Sequence, residues 1–127
     1  MRRARSVPFD FFVARLIYHH ARPRLYWTAD GLNLWLFLFH DRSLRNLSQE
    51  SEAGQDLSVF SQPLEIDDRL VFLDNDAYQQ ISADDLRKIL HRSPTPEIAS
   101  YHLCAALRNQ PSTILICDVH ELSVQIA

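Results

Sequence analysis

Glycine is nearly missing from this chain: Gly31 and Gly54 are the only two in 127 residues. A phosphate-cradling loop needs several positions without a Cβ, so P-loop and dinucleotide-binding readings fail at once. Cysteine is as scarce, with Cys104 and Cys117 alone. They fall in a predicted helix and a predicted strand, in apolar company, and read as small buried hydrophobes. Nothing points to a disulfide framework or a zinc site. Long apolar runs are missing too. Leu34 to Phe39 is the most apolar stretch and falls far short of the roughly 20 residues that span a bilayer. Asp10 and Arg15 interrupt the run after the N-terminal arginines, which makes a poor secretory signal. There is no basic excess: the net charge is -3, which argues against a general nucleic-acid binder. Arg2, Arg3 and Arg5 read as a flexible tail over residues 1–6. The expectation is a cytoplasmic protein without membrane or nucleic-acid partners.

What is present suits one domain over residues 1–127, since 46% of the chain is apolar and can bury a sizeable core. Val7 to Tyr18 reads as a strand, followed by a polar turn that ends in Pro23. Leu25 to Ala29 is a second strand, and Asp30-Gly31 is a turn signal. Leu34-Trp35-Leu36-Phe37-Leu38-Phe39 is apolar at both parities, which suits a central strand covered on both sides. A buried helix competes there, but the flanking turn signals favour the strand. Asp41-Arg42-Ser43 turns the chain and Leu44 to Leu47 returns it. Residues 48–56 are polar and acidic and read as a mobile loop. Leu57 to Phe60 is a short strand and Arg69 to Leu73 a buried one.

Ser82 opens a helix as its N-cap, with Asp84 and Asp85 in the first turn, where the helix dipole favours them. Ile81 and Leu86 stand where a hydrophobic staple would. Leu86, Ile89 and Leu90 form the apolar stripe. Thr95 caps a second helix with Pro96 at its first position. It runs to about Arg108 and buries Ile98, Leu103, Ala106 and Leu107. Ser112 to Val119 is a strand, and Leu122, Val124 and Ile126 alternate with polar residues as in a half-buried final strand. The order predicts an α+β fold: antiparallel β-sheet layers with two helices packed on one face.

The segment from Asp67 to Leu86 is the most informative. Asp67-Asp68-Arg69-Leu70 leads through Val71-Phe72-Leu73 to Asp74-Asn75-Asp76, and then to Ser82-Ala83-Asp84-Asp85-Leu86. It resembles a segment of the metal-dependent protein phosphatases of the 2C family (PPM-type). There the run is Gly-Asp-Arg-Leu, three apolar residues, Ser-Asp-Gly, and later Ser-x-x-Glu-Leu. Three other segments are similar in the same order. Leu25 to Ala29 with Leu34 to Phe39 looks like the hairpin around the Gly-Asp-Ser motif. His40 to Ser48 looks like the Arg-Asp-Gly-x-Leu-x-x-Leu-Thr turn. Thr95 to Arg108 with Thr113 to Val119 looks like the last helix and strand. No single motif is specific, and the order and spacing carry the resemblance. It implies a partial 2C-phosphatase-like sandwich.

The resemblance also implies two divalent cations held by carboxylates, and here the pattern breaks. The Gly-Asp-Ser motif falls on Leu32-Asn33-Leu34, Ser-Asp-Gly on Asp74-Asn75-Asp76, and the last Asp-Asn on Gln110-Pro111. The family's earlier acidic motifs have no counterpart. Asn keeps the shape of Asp without the charge that holds a dication. No catalytic, metal or cofactor residues are therefore expected. Asp74 and Asp76 are the weak candidates for a cation, in what reads as an acidic loop after a strand. A calcium loop would need further ligands that are not there.

Other groups read as structural. The six histidines show no ligand spacing. His102 and Cys104, two apart on a helix, do not face each other. Trp27, Trp35, Phe37, Phe39, Tyr18 and Tyr26 form a dense aromatic group. Without interleaved basic residues it reads as core, not as a base-stacking platform.

The expected function is a catalytically inactive, pseudophosphatase-like domain that serves as a protein-binding or regulatory module. One alternative is a diverged Ser/Thr phosphatase with metal on Asp74, Asp76 and Asp67 or Asp68. Another is a small structural subunit of a larger complex. A chain without the first part of the family's sandwich should leave edges and apolar faces uncovered. That predicts a protein partner or a homo-oligomer.

Overall fold

The computed structural model describes residues 11–19, 22–30, 34–50, 59–107 and 111–120. The predicted strand over 122–126, the tail over 1–6 and most of the 48–56 loop lie outside them. The strands are β1 (Phe11–His19), β2 (Arg22–Asp30), β3 (Leu34–His40), β4 (Ser43–Asn46), β5 (Phe60–Pro63), β6 (Arg69–Asp74) and β7 (Ile114–Asp118). The helices are α1 (Leu47–Glu50), α2 (Asn75–Gln80), α3 (Ala83–Arg92) and α4 (Pro96–Ala106). Two antiparallel sheets form, in the orders β1-β2-β5 and β4-β3-β6-β7.

The double-sided apolar pattern of β3 has the predicted consequence. Side chains alternate across a strand, so Leu36 and Leu38 enter the core between the two sheets, while Phe37 enters the core under the helices. Its neighbour β6 does the same, with Leu70 and Phe72 on the sheet side and Val71 and Leu73 on the helix side. From the first sheet, Leu25 and Trp27 of β2 close the sheet-side core. The second cover that β3 requires thus comes from the chain itself.

The turn between β3 and β4 places Asp41 at φ 45° and Arg42 at φ 70°. Two successive positive φ values are the mark of a two-residue type I′ hairpin turn, whose twist matches the flanking strands. The Ser43 hydroxyl braces the turn by donating to the His40 carbonyl at 3.0 Å.

The predicted caps form. Ser82 Oγ accepts the Asp85 N–H at 3.1 Å, and Thr95 Oγ1 accepts the Ile98 N–H at 3.2 Å, with Pro96 beginning α4. Ile81 and Leu86 both join the helix-side core.

Several expectations need correction. There are four helices among the described residues, not two. While α2, α3 and α4 supply the helix-side core, α1 sends Leu47 into the opposite one. Residues 48–50, expected to open a loop, belong to α1. Asp74-Asn75-Asp76 is no loop: Asp74 ends β6 and caps α2. Along α4 and its C-cap the buried stripe is Ala99, Leu103 and Leu107, while Ile98 and Ala106 are exposed. Cys104 is exposed as well. It follows Leu103, and successive helix residues are turned about 100° from each other. The aromatic residues do not form one core: Tyr26 alternates with the buried Leu25 and Trp27 and faces the other way. Trp27 lies in the sheet-side core and packs near Phe60, whereas Trp35 stacks on Tyr78 with ring centroids 3.9 Å apart.

A buried cation joins three elements. Arg69 begins β6 with its side chain 8% exposed. Its Nε and Nη2 donate to the two carboxylate oxygens of Asp118 at 2.6 and 3.0 Å. Its Nη1 donates to the carbonyls of Leu90 and Ser93 at 3.1 and 2.8 Å. Those carbonyls sit at the end of α3, where backbone acceptors lack helical partners. Arg69→Met should therefore destabilise the domain by about 3 kcal/mol, because it leaves the Asp118 carboxylate, 14% exposed, and two carbonyls at the end of α3 without their donor. Chemical denaturation of the variant is the measurement; a midpoint within error of the parent would mean that the clamp is dispensable.

Candidate functional site

Two polar clusters stand at opposite ends of β6. At its end, Asp74 Oδ1 accepts the Ala77 N–H and Oδ2 accepts the Thr113 N–H, each at 2.8 Å. The Asp74 N–H returns a bond to the Thr113 carbonyl at 3.1 Å. Each carboxylate oxygen is thus engaged by a backbone donor, one capping α2 and one tying the approach to β7. Asn75 Oδ1 accepts the Trp35 indole N–H at 3.3 Å. Asp76 lies exposed in the first turn of α2. Pro111 is exposed, while Asn33 and Gln110 lie outside the described residues.

Two-metal hydrolysis needs several free carboxylates converging on the ions. This end does not fit that demand: Asp74 is engaged in the scaffold and Asn75 carries no charge. Among the described residues, no group of three His, Cys, Asp or Glu side chains could hold a metal ion. The alternative set built from Asp74, Asp76 and Asp67 or Asp68 is not brought together. Asp68 precedes β6 and Asp74 ends it, and at about 3.3 Å per residue an extended strand separates them by roughly 20 Å.

The cluster at the start of β6 has no counterpart in the sequence-based expectations. His40 Nδ1 pairs with Asp68 Oδ1, and His40 Nε2 lies 3.2 Å from Glu65 Oε2. Asp68 Oδ2 accepts the Glu65 N–H at 2.8 Å. Asp68 is buried, and Asp67 beside it takes φ 75°. The hydrogen bond to Asp68, followed by the Asp68 charge, raises the His40 pKa above its usual 6.5, with smaller contributions from Glu65 and Asp41; burial opposes them. A buried carboxylate behind an imidazole is the rear half of a nucleophilic triad. Here the other ring nitrogen faces Glu65, and among the described residues the pair latches the β3–β4 hairpin to the Glu65–Asp68 turn. The two residues are 28 positions apart, and no local motif could have joined them.

A third feature is apolar. The inner faces of β1 and β7, each at the edge of its sheet, leave a cleft of about 440 Å³. Ala14, Leu16, Leu25, Phe72, Leu115 and Cys117 are among its walls. Leu16 is 46% exposed and Leu115 55%, so the sheet-side core reaches solvent here. Burial, helped by the neighbouring Asp118 charge, pushes the Cys117 thiol pKa up, away from a reactive thiolate. Tyr18 OH ties β1 to the segment after β7 by donating to the His120 carbonyl.

No sequence-family model matches this chain, and no curated protein matches it by sequence. Solved structures do match its fold. The Mycobacterium tuberculosis Ser/Thr phosphatase PstP/Ppp superposes with a TM-score of 0.65 at 13% identity, over 84% of this chain and 58% of PstP. The phosphatase domain of SpoIIE from Bacillus subtilis gives 0.62 at 10% identity, over 92% of this chain and 61% of that one. The PPM Ser-Thr phosphatase MsPP from Mycobacterium smegmatis gives 0.55 at 11%, over 75% and 56%. The chain therefore has the α+β fold of the PPM-type (2C) phosphatases, over somewhat less than two thirds of the length of these relatives. No helix among the described residues is long and apolar enough to cross a membrane.

The latch generates a pH dependence with a definite sign. A raised folded-state pKa means that His40 contributes stability fully below about pH 6.5, the unfolded value, and loses it as pH rises through the folded value. The His40 imidazole should titrate above 6.5 by NMR, and Asp68→Asn should bring the midpoint down. A midpoint at or below 6.5 in the parent would show that the latch does not hold the proton.

Proposed function

We propose that this chain is a catalytically inactive phosphatase-like domain that works as a protein-binding or regulatory module. The observation that carries the first half is the diversion of Asp74. Its oxygens accept the N–H groups of Ala77 and Thr113, and the next residue, where the family resemblance puts a metal-binding Asp, is Asn75. A scaffold whose acidic turn is spent on capping and cross-linking suits binding better than hydrolysis. A diverged phosphatase is the reading this arrangement favours least, because its candidate carboxylates occupy opposite ends of one strand. The binding half draws support from the open apolar cleft between β1 and β7, since such a surface on a small domain is a recognition site or an oligomer interface.

The purified protein should not turn over p-nitrophenyl phosphate or phosphopeptides, with or without manganese. Metal-dependent turnover that disappears in Asp76→Ala would establish the diverged enzyme instead. Sedimentation at low micromolar concentration should show a dimer, or a monomer that enters a complex with a partner protein. Under the same reading, Leu16→Glu with Leu115→Glu should abolish that association. A monomer that captures nothing would leave the cleft without a role in assembly.

A further inference from the structure

The first sheet has two unlike faces. Along β2, Pro23, Leu25 and Trp27 are buried, while Arg24, Tyr26 and Thr28 lie on the opposite side and are half-buried. Cross-strand partners share a face. Arg15 stands opposite Tyr26 and Ile17 opposite Arg24, so both belong to the outer side, with exposed Arg22 at its end. A groove of about 960 Å³ runs along this face toward residues 63–66. Arg22, Arg24, Tyr26, Ile17 and Ile66 are among its walls.

The charge on this face is one-sided. The three strands of the sheet contain Arg15, Arg22 and Arg24, and their one carboxylate is Asp30, at the far end of β2 from Arg22. Among the described residues no carboxylate pairs with any of the three; Arg24 Nη1 donates to the neutral Ser61 hydroxyl at 2.9 Å. A chain of net charge -3 thus gathers, on one sheet face, guanidinium groups that have no carboxylate partner among the described residues. Among the described residues the one carboxylate lining the groove, Glu65, leans on His40 at 3.2 Å.

We propose that this groove binds an acidic segment of a protein partner, its carboxylates on Arg22 and Arg24 and its apolar side chains against Ile17, Tyr26 and Ile66. The proposal rests on the binding-module reading above and names the chemistry of the partner. Guanidinium groups recognise carboxylates in a fixed two-pronged geometry. Ile66, 42% exposed, and the half-buried Ile17 and Tyr26 offer contacts that a polyphosphate backbone cannot use. Glu65 within the groove would repel the unbroken negative charge of a nucleic acid, whereas a peptide places its charges at intervals. Opposite charge on the two surfaces also speeds encounter and makes binding sensitive to salt.

The test is fluorescence anisotropy of the full chain with a short labelled peptide in which Glu and Asp alternate with Leu and Val. Binding should saturate, weaken with added salt, and fall about tenfold or more in the Arg22→Glu, Arg24→Glu double variant, the loss expected when charge pairs become repulsive. Arg22→Glu alone, at an exposed position without a partner among the described residues, keeps the test valid if the double variant fails to fold. It should weaken binding while its thermal midpoint stays at the parent value. Equal binding by the parent and Arg22→Glu would overturn the proposal. So would equal binding of a peptide with Lys at every acidic position, or tighter binding to a single-stranded oligonucleotide or to phosphatidylserine vesicles. Phosphatase turnover in the same preparation would refute the inactive reading and leave the peptide result standing. An inactive protein whose peptide binding ignores both variants would refute this proposal alone.

Discussion

Arg69 holds the structure at the point where its layers meet. It begins the strand that is buried on both faces, and its side chain reaches across to Asp118 on β7 and to the last carbonyls of α3. A guanidinium so far from water is costly unless its donors are met. Here they are met by one carboxylate and two backbone oxygens. The sheet register, which sets Arg69 opposite Asp118, and the position of α3 are therefore specified together. Leu86 and Leu90 of the helix-side core belong to α3, the helix whose end this contact fixes.

The other end of β6 shows the same use of charge for scaffolding. Asp74 joins a strand, the helix that follows it and the segment before β7 through one carboxylate. In the PPM-type phosphatases that share this fold, family resemblance gives the corresponding turn a metal-binding role. Here an uncharged Asn75 accepts a bond from Trp35, which in turn stacks on Tyr78. The junction is thus tied together through Asp74 and Asn75, while Asp76 stays exposed.

The three-stranded sheet gives the molecule its polarity. Its inner face supplies Leu25 and Trp27 to the core, and its outer face carries Arg15, Arg22 and Arg24. The overall negative charge conceals this, because of the chain's 16 acidic residues only Asp30 belongs to the strands of this sheet. Net charge bounds the behaviour of the whole surface and says little about one face.

Features governed by neighbours in the chain were legible in advance. Leu34 to Phe39 reads as a doubly covered strand because alternation assigns each side chain to a face. Ser82 and Thr95 read as caps because a cap bonds a backbone group three positions away. The order of the phosphatase-like segments conveyed the fold, since spacing along a chain reflects the lengths of strands and turns. Contacts across the chain were not legible. Asp74 meets Thr113 39 positions away, and His40 meets Asp68 28 away; in the sequence each looked like an isolated polar residue. The exposure of Cys104 and the scattering of the aromatic residues over two cores and an outer sheet face followed from which face each element turned inward. The sequence by itself determined the elements and their apolar faces. Only the tertiary structure decided which charges are spent inside the scaffold and which remain free at the surface, because that depends on side chains that meet solely when the sheets and helices have packed.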